Sequence, residues 1–320
     1  MLAMCFDGEV VMRTDYPKPR CAHGDVLVEV GKAGICSTDL EVAKGYMGFG
    51  GVMGHEFVGR AVGGSRQWAG KRVVAEINCI CGKCDMCKSG LANHCRNRTV
   101  LGIDGRDGCF AEYVTVPARN CHEVPEAVSD SEAVFIEPLA AAFQLIRQVK
   151  LAQSDRVVVL GDGRLAQLIV RVLRLRLRRT LMVGRHAAKL EAAEKQGVQT
   201  ILESDFVPVK AADVVVDATG SAAGFELAMR AVRPRGTIVL KSTFAVAAAG
   251  GLNLAPLVID EITVVGSRCG PFPEAIAALA RREVDVAALI SAEFPLADGP
   301  AAMAAARNGK NIKVLLDVRR

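Results

Sequence analysis

Apolar positions follow two rhythms along this chain, and the change between them comes near residue 140. Before it, short β-rich runs separated by glycines occur at 26–30, 58–62, 72–75 and 111–116. Such runs predict a small, irregular, mostly antiparallel β domain. After it, buried strand patterns at 156–160, 180–183, 214–217, 237–241 and 262–266 alternate with helix patterns at 163–175, 187–196 and 222–232. That alternation predicts a parallel sheet covered on both faces. The tail, 293–320, reads as strand again at 313–317, and the Ala-rich stretches 275–280 and 300–306 read as small-residue helices. The expected class is α/β: a β domain over 1–140, a doubly wound parallel-sheet domain over 141–267, and a return to the first domain over 268–320.

Composition narrows the class. At 320 residues, 51% hydrophobic and 23% charged, the chain has room for two cores and is too apolar for disorder. No apolar run reaches 18 residues, and the least polar stretch, 244–259, is broken by Gly250, Gly251, Asn253 and Pro256, so no membrane partner is expected. The first residues carry no basic start and no signal-peptide core. Eleven cysteines in that context point to reduced thiols and metal ligation in the cytoplasm.

Much of the net charge of +5 sits in Arg171, Arg174, Arg176, Arg178 and Arg179. At 100° per residue, Arg164, Arg171, Arg174 and Arg178 share roughly an 80° arc opposite Leu165, Ile169, Val172 and Leu173. Arg176 would enter the apolar face, so the helix should end near Leu175. The arc reads as a solvated face. Without interleaved aromatics or a reader motif it predicts no nucleic-acid partner.

The chemistry begins with Cys81, Cys84, Cys87 and Cys95, spaced C-x2-C-x2-C-x7-C in a lobe over 78–98. Four thiolates so spaced can wrap one tetrahedral Zn²⁺ with no open position, a structural site. An iron–sulfur cluster is the alternative, but its runs continue x3-C-P, whereas here the gap is seven and Arg96 follows. Cys79 is taken as a bystander. A second set, Cys36 in Gly34-Ile35-Cys36-Ser37-Thr38-Asp39 and His55-Glu56 after Gly54, supplies a thiolate, an imidazole and a carboxylate, with Glu137 as a possible fourth oxygen ligand. A mixed donor set with one labile position suits a Lewis-acid zinc.

A third motif, Gly161-Asp162-Gly163-Arg164-Leu165-Ala166, has the form G-x-G-x-x-A between a strand and a helix. Such a turn lets a pyrophosphate approach the helix N-terminus. The acidic residue expected about 20 residues on is absent, and the next strand ends Gly184-Arg185-His186 instead. Without that carboxylate, and with Arg185 able to pair with a 2′-phosphate, NADP(H) is favoured over NAD(H).

Together with Glu137-Pro138-Leu139 and Asp217-Ala218-Thr219-Gly220, these motifs resemble the medium-chain, zinc-dependent alcohol dehydrogenase family, in its branch related to sorbitol, threonine and glucose dehydrogenases, over essentially the whole chain. The resemblance implies a GroES-like β catalytic domain at both chain ends with a Rossmann domain between. It also implies a homodimer or homotetramer acting on a small-molecule alcohol or carbonyl. By position, Cys36, His55 and Glu56 match catalytic zinc ligands, and Glu137 stands where alcohol dehydrogenases carry a cysteine. Thr38 matches the hydroxyl that passes the substrate proton outward, and Asp39 the carboxylate that orients the zinc-bound imidazole. Gly161, Gly163, Arg164, Leu165, Arg185, His186 and Thr219 match the coenzyme site. The relay histidine of many alcohol dehydrogenases is Glu41 here. The expected chemistry is hydride transfer between an alcohol (a secondary alcohol, polyol or sugar-like compound) and a nicotinamide, with two zinc ions per chain. A zinc-free enoyl or quinone reductase, or a non-catalytic nucleotide-binding protein, are the alternatives on the same fold.

Overall fold

The glycine-punctuated runs of the first part pair into antiparallel β structure. The computed structural model describes residues 1–177, 179–243 and 251–319. Arg178 and residues 244–250 of the weakly polar stretch lie outside the described residues. Strand β1 (Asp25–Ile35) is followed by helix α1 (Ser37–Val42), then β2 (Glu56–Gly64), β3 (Arg72–Ala75), β4 (Tyr113–Pro117) and β5 (Cys121–Glu123). Along β1, Val26, Val28 and Val30 are buried on alternate positions, as a one-sided strand requires. β1 pairs antiparallel with both β2 and β4, and the β1–β2 register sets Gly34 opposite Glu56.

The chain divides into two compact units. The first holds 1–137, 272–282 and 290–320; the second holds 138–271 and 283–289. The first break therefore falls at Glu137, early in helix α2 (Ile136–Gln148), a few residues before the composition changes.

The second unit runs β6 (Arg156–Leu160), α3 (Arg164–Arg174), β7 (Arg179–Gly184), α4 (Ala187–Glu194), β8 (Gln199–Leu202), β9 (Ala212–Asp217), α5 (Ala222–Ala231), β10 (Val232–Leu240) and β11 (Thr263–Gly266). These strands form one parallel sheet in the order β8-β7-β6-β9-β10-β11. The order reverses beside β6, and in such sheets ligands bind outside the carboxyl ends of the strands at that switch. α3 packs on β6 and β7, and α5 on β9 and β10.

Two details differ from the sequence reading. β8 is an extra strand; its four residues are only partly buried and too few to show a period. Arg171 is not on a solvated face: it is 4% exposed. The helical wheel gave its angle but not its neighbours, because α4 and the 283–289 segment cover that side of α3. α3 does end at Leu175, and Arg174 and Arg176 are exposed.

The tail rejoins the first unit through α6 (Phe272–Ala280), β12 (Ile290–Pro295), α7 (Gly299–Arg307) and β13 (Lys313–Asp317). β13 lies antiparallel to β1 and parallel to β12, completing the sheet path β5-β3-β2-β1-β13-β12. All five residues of β13 are buried, Lys313 and Asp317 included. No helix among the described residues is long and apolar enough to cross a membrane.

Candidate active site

Cys36 leaves β1 in an extended conformation and begins α1. Asp39, in the first turn of that helix, folds back so that its Oδ2 accepts the Cys36 amide at 2.7 Å. Its Oδ1 lies 3.2 Å from Nδ1 of His55. His55 and Glu56 stand where β2 begins, beside the end of β1 by the strand register. Asp39, His55 and Glu56 are each at most 3% exposed. The ligand atoms of Cys36, His55 and Glu56 lie within 4.8 Å of one another. The Thr38 hydroxyl is 3.8 Å from the Cys36 sulfur.

Burial alone would push the His55 pKa down. The nearby Asp39 charge outweighs it and holds His55 well above the ordinary imidazole value. With Nδ1 turned to Asp39, Nε2 is the ring nitrogen left for a ligand, the arrangement in which a carboxylate fixes a metal-binding histidine. A thiolate, an imidazole and a carboxylate drawn together inside the protein suit Zn²⁺. Glu137, expected as a fourth ligand, does not fall within this cluster; it lies at the start of α2. Lys313 went unnoticed in the sequence reading. Its ammonium forms a buried ion pair with Glu56, and its trace in the sequence is a lysine placed directly before the apolar run Val314-Leu315-Leu316.

The cysteine lobe also converges. Cys84 lies 3.5 Å from Cys87 and 3.8 Å from Cys95, and Cys95 lies 3.5 Å from Cys81, sulfur to sulfur. Sulfurs at about 2.3 Å from a tetrahedral zinc stand about 3.8 Å apart, so the four fit that ion. Backbone amides of Lys83 and Cys84 lower the Cys81 thiol to about 6, and those of Arg96 and Cys87 lower Cys84. Cys87 is pushed up to about 12, by desolvation first and then by its cysteine neighbours. Four thiolates repel one another unless a cation sits among them. Cys79 is buried beside the lobe, with its sulfur toward the Ile77 carbonyl, and is outside the set.

In the second unit, Gly161 has φ +111°, and a Cβ there would come within 3.2 Å of the Ala218 carbonyl, so glycine is required. A Cβ on Gly163 would meet nothing within 4 Å, leaving open space at the start of α3 beside Arg164 and Leu165. Asp162 is 7% exposed. Its Oδ2 accepts the amides of Arg185 (2.7 Å) and His186 (2.8 Å), and His186 Nδ1 lies 3.0 Å away. A carboxylate thus does stand at the end of β7, supplied by the glycine turn and not by β7 itself. The Arg185 guanidinium is not free: it donates twice to Glu203, at 3.0 Å each, which holds its pKa up. Lys189, in α4, is buried and its pKa is lowered by desolvation, with the Asp162 charge opposing. Thr219 donates its hydroxyl and its amide to Asp217 at the end of β9.

Comparison with known proteins gives the same picture. The pattern of the alcohol dehydrogenase GroES-like domain matches residues 22–126, and that of the zinc-binding dehydrogenases matches 165–282. A sorbitol dehydrogenase from Halalkalibacterium halodurans is 29% identical over 94% of each chain. Among solved structures, a protein described as a zinc-binding dehydrogenase from Sinorhizobium meliloti 1021, bound to NADP, superposes with TM-score 0.91 at 27% identity, covering 99% of this chain and 98% of its own. An alcohol dehydrogenase from Escherichia coli CFT073, complexed with NADH, gives 0.89 at 28% identity with 99% of both chains covered. With a GroES-like β unit, a six-stranded parallel sheet and relatives that include sorbitol and threonine dehydrogenases, this chain belongs to the zinc-binding, medium-chain alcohol dehydrogenase family and is an oxidoreductase.

Proposed function

We propose that the chain interconverts an alcohol and its carbonyl with NADP(H), using one zinc held by Cys36, His55 and Glu56, and that a second zinc in the cysteine lobe is structural. The convergence of those three donors, with Asp39 Oδ1 3.2 Å from His55 Nδ1, is the observation that carries this reading. When bound, the zinc would polarise the substrate oxygen and the nicotinamide would exchange hydride. The chain's own residues do the rest. Asp39 orients the imidazole ring, and Thr38 offers a hydroxyl beside Cys36 to move the substrate proton. A secondary alcohol, polyol or sugar-like substrate follows from the likeness to a sorbitol dehydrogenase.

At the coenzyme site Arg185 and Lys189 are cations near the end of β7. The Arg185–Glu203 pair is exposed on the arginine side (62%), and exposed pairs are worth about 0–1 kcal/mol, so a 2′-phosphate could displace Glu203 at little cost. Glu137 completing the zinc shell, a homodimer or homotetramer, and a cytoplasmic setting for eleven cysteines outside any disulfide belong to the same reading.

Elemental analysis tests the core of it. Wild-type protein should carry two zinc ions per chain, and Cys36→Ser one, with folding kept and alcohol-dependent reduction of the coenzyme abolished. Unchanged turnover in Cys36→Ser would refute the assignment.

A further inference from the structure

The connections β6–β7, β7–β8 and β9–β10 of the parallel sheet each carry a helix, as parallel strands ordinarily do. The return from β8 to β9 does not. It has to pass β7 and β6, and it does so with a short 3-10 turn, Glu203–Asp205, and an irregular stretch over 206–211. Crossovers are right-handed, so this return lies on the sheet face opposite α3 and α4, beside α5. So thin a cover leaves a cleft of about 360 Å³, within the roughly 300–1,000 Å³ of ligand sites. Val158 and Leu181 line it from the sheet, Ala231 from the end of α5, and Phe206, Val207 and Val209 from the return. Val207 and Val209 are left 73% and 71% exposed.

Two cations complete the lining. Arg156 and Arg179 open β6 and β7 and are register partners. Side chains alternate along a strand, so Arg156 shares its face with Val158, and Arg179 with Leu181. Both arginines therefore stand on the cleft side at adjacent strand ends. Among the described residues neither guanidinium has a hydrogen bond or an ion pair. Asp213, whose charge reaches Arg156, already accepts the Arg156 amide at 2.8 Å and the Arg233 guanidinium at 2.7 Å. No acidic residue is among the described residues that line the cleft. We propose that this cleft binds an amphipathic organic anion, with an oxyanion head held by Arg156 and Arg179 and an aliphatic body laid along Val158, Leu181 and the valines of the return. Planar guanidiniums match a carboxylate two oxygens at a time, and the body takes exposed valine surface out of water. The site lies at the amino ends of the strands, whereas the glycine turn lies at the carboxyl end of β6, and it shares no residue with the coenzyme or zinc sites.

Octanoate is the probe, titrated by calorimetry into the full chain as purified and saturated with coenzyme. It should bind at one site per chain, and octanamide, the same body without the charge, should bind about tenfold or more weaker. Arg156→Ser/Arg179→Ser should weaken octanoate by about tenfold or more and leave the melting temperature and alcohol turnover as in the wild type, since both positions are exposed. Cys36→Ser should bind octanoate like the wild type, because the cleft lies in the other unit. Loss of binding in Cys36→Ser with retention in the arginine variant would place the acid at the zinc donors and overturn the proposal. Equal affinity for octanamide, wild-type affinity in the arginine variant, or no saturable binding at about 1 mM would overturn it as well. So would a wild-type oligomer that dissociates in Val207→Asp/Val209→Asp, since the cleft would then be covered by a second copy of the chain.

Discussion

Arg171 concentrates four hydrogen bonds on one buried guanidinium. Nε donates to the Asp285 carbonyl (2.9 Å), Nη1 to the carbonyl and side-chain oxygen of Gln167 (3.0 and 2.8 Å), and Nη2 to the Ala192 carbonyl (3.2 Å). Those acceptors are neutral, so burial lowers the arginine to about 10 with the Asp285 charge opposing, and the group stays charged at neutral pH. Replacing it by leucine leaves buried carbonyls without donors, at about 1–3 kcal/mol for each group left unpaired. Arg171→Leu should therefore cost about 3 kcal/mol or more of stability in thermal unfolding, whereas the exposed Arg174→Leu on the same helix should stay within about 0.5 kcal/mol. Equal, small effects from both would sink the view of Arg171 as a staple. The same scale shows where a sequence falls silent. Cys36, His55 and Glu56 were legible because residue type and motif mark them. Lys313 and Asp162 were not, because their partners are set by strand register and turn geometry and not by spacing along the chain.

Elements were more legible than residues wherever one face is buried. The strands Arg72–Ala75, Arg156–Leu160 and Lys313–Asp317 stand at the positions their apolar runs mark, while Gln199–Leu202, polar at one end and only half-buried, carries too little pattern to be seen. The turn between β6 and α3 belongs to this scale, since its glycines were readable but its carboxylate was assigned no role. Asp162 ties down the amides of Arg185 and His186 and holds the His186 ring, so the Arg185 guanidinium, once released from Glu203, and Lys189 in the next helix are the cations for a ribose phosphate. A dianionic phosphate gains from those cations and a hydroxyl gains far less. Titration calorimetry should give NADP⁺ a Kd about tenfold or more below that of NAD⁺, and Arg185→Ala should erase most of the difference while leaving NAD⁺ binding as it was. Tighter binding of NAD⁺ by the wild type would show that Asp162 and Glu203 repel the phosphate more than the cations attract it.

At the scale of the whole molecule, the parallel sheet ends on β11, and among the described residues no strand pairs with its outer edge. Thr263, Val264 and Gly266 are exposed along it. Just before it, the short helix Ala255–Ile259 leaves Val258 80% and Ile259 77% exposed, with Leu254 at 51%. Isolated exposed aliphatics are ordinary, but a cluster of them beside open backbone hydrogen-bonding groups is a template for another strand. The same edge of a second copy, turned about a two-fold axis, offers a complement that closes on itself and leaves no further edge. Pairing of that kind predicts a dimer, and a tetramer if dimers pair elsewhere. Light scattering on a sizing column should find a dimer or tetramer at micromolar concentration. The double variant Val258→Lys/Ile259→Lys should shift the mass toward the monomer while keeping two zinc ions per chain, because the metal donors lie in the other unit. A wild-type monomer, or a double variant of unchanged mass, would mean that this edge is covered in some other way.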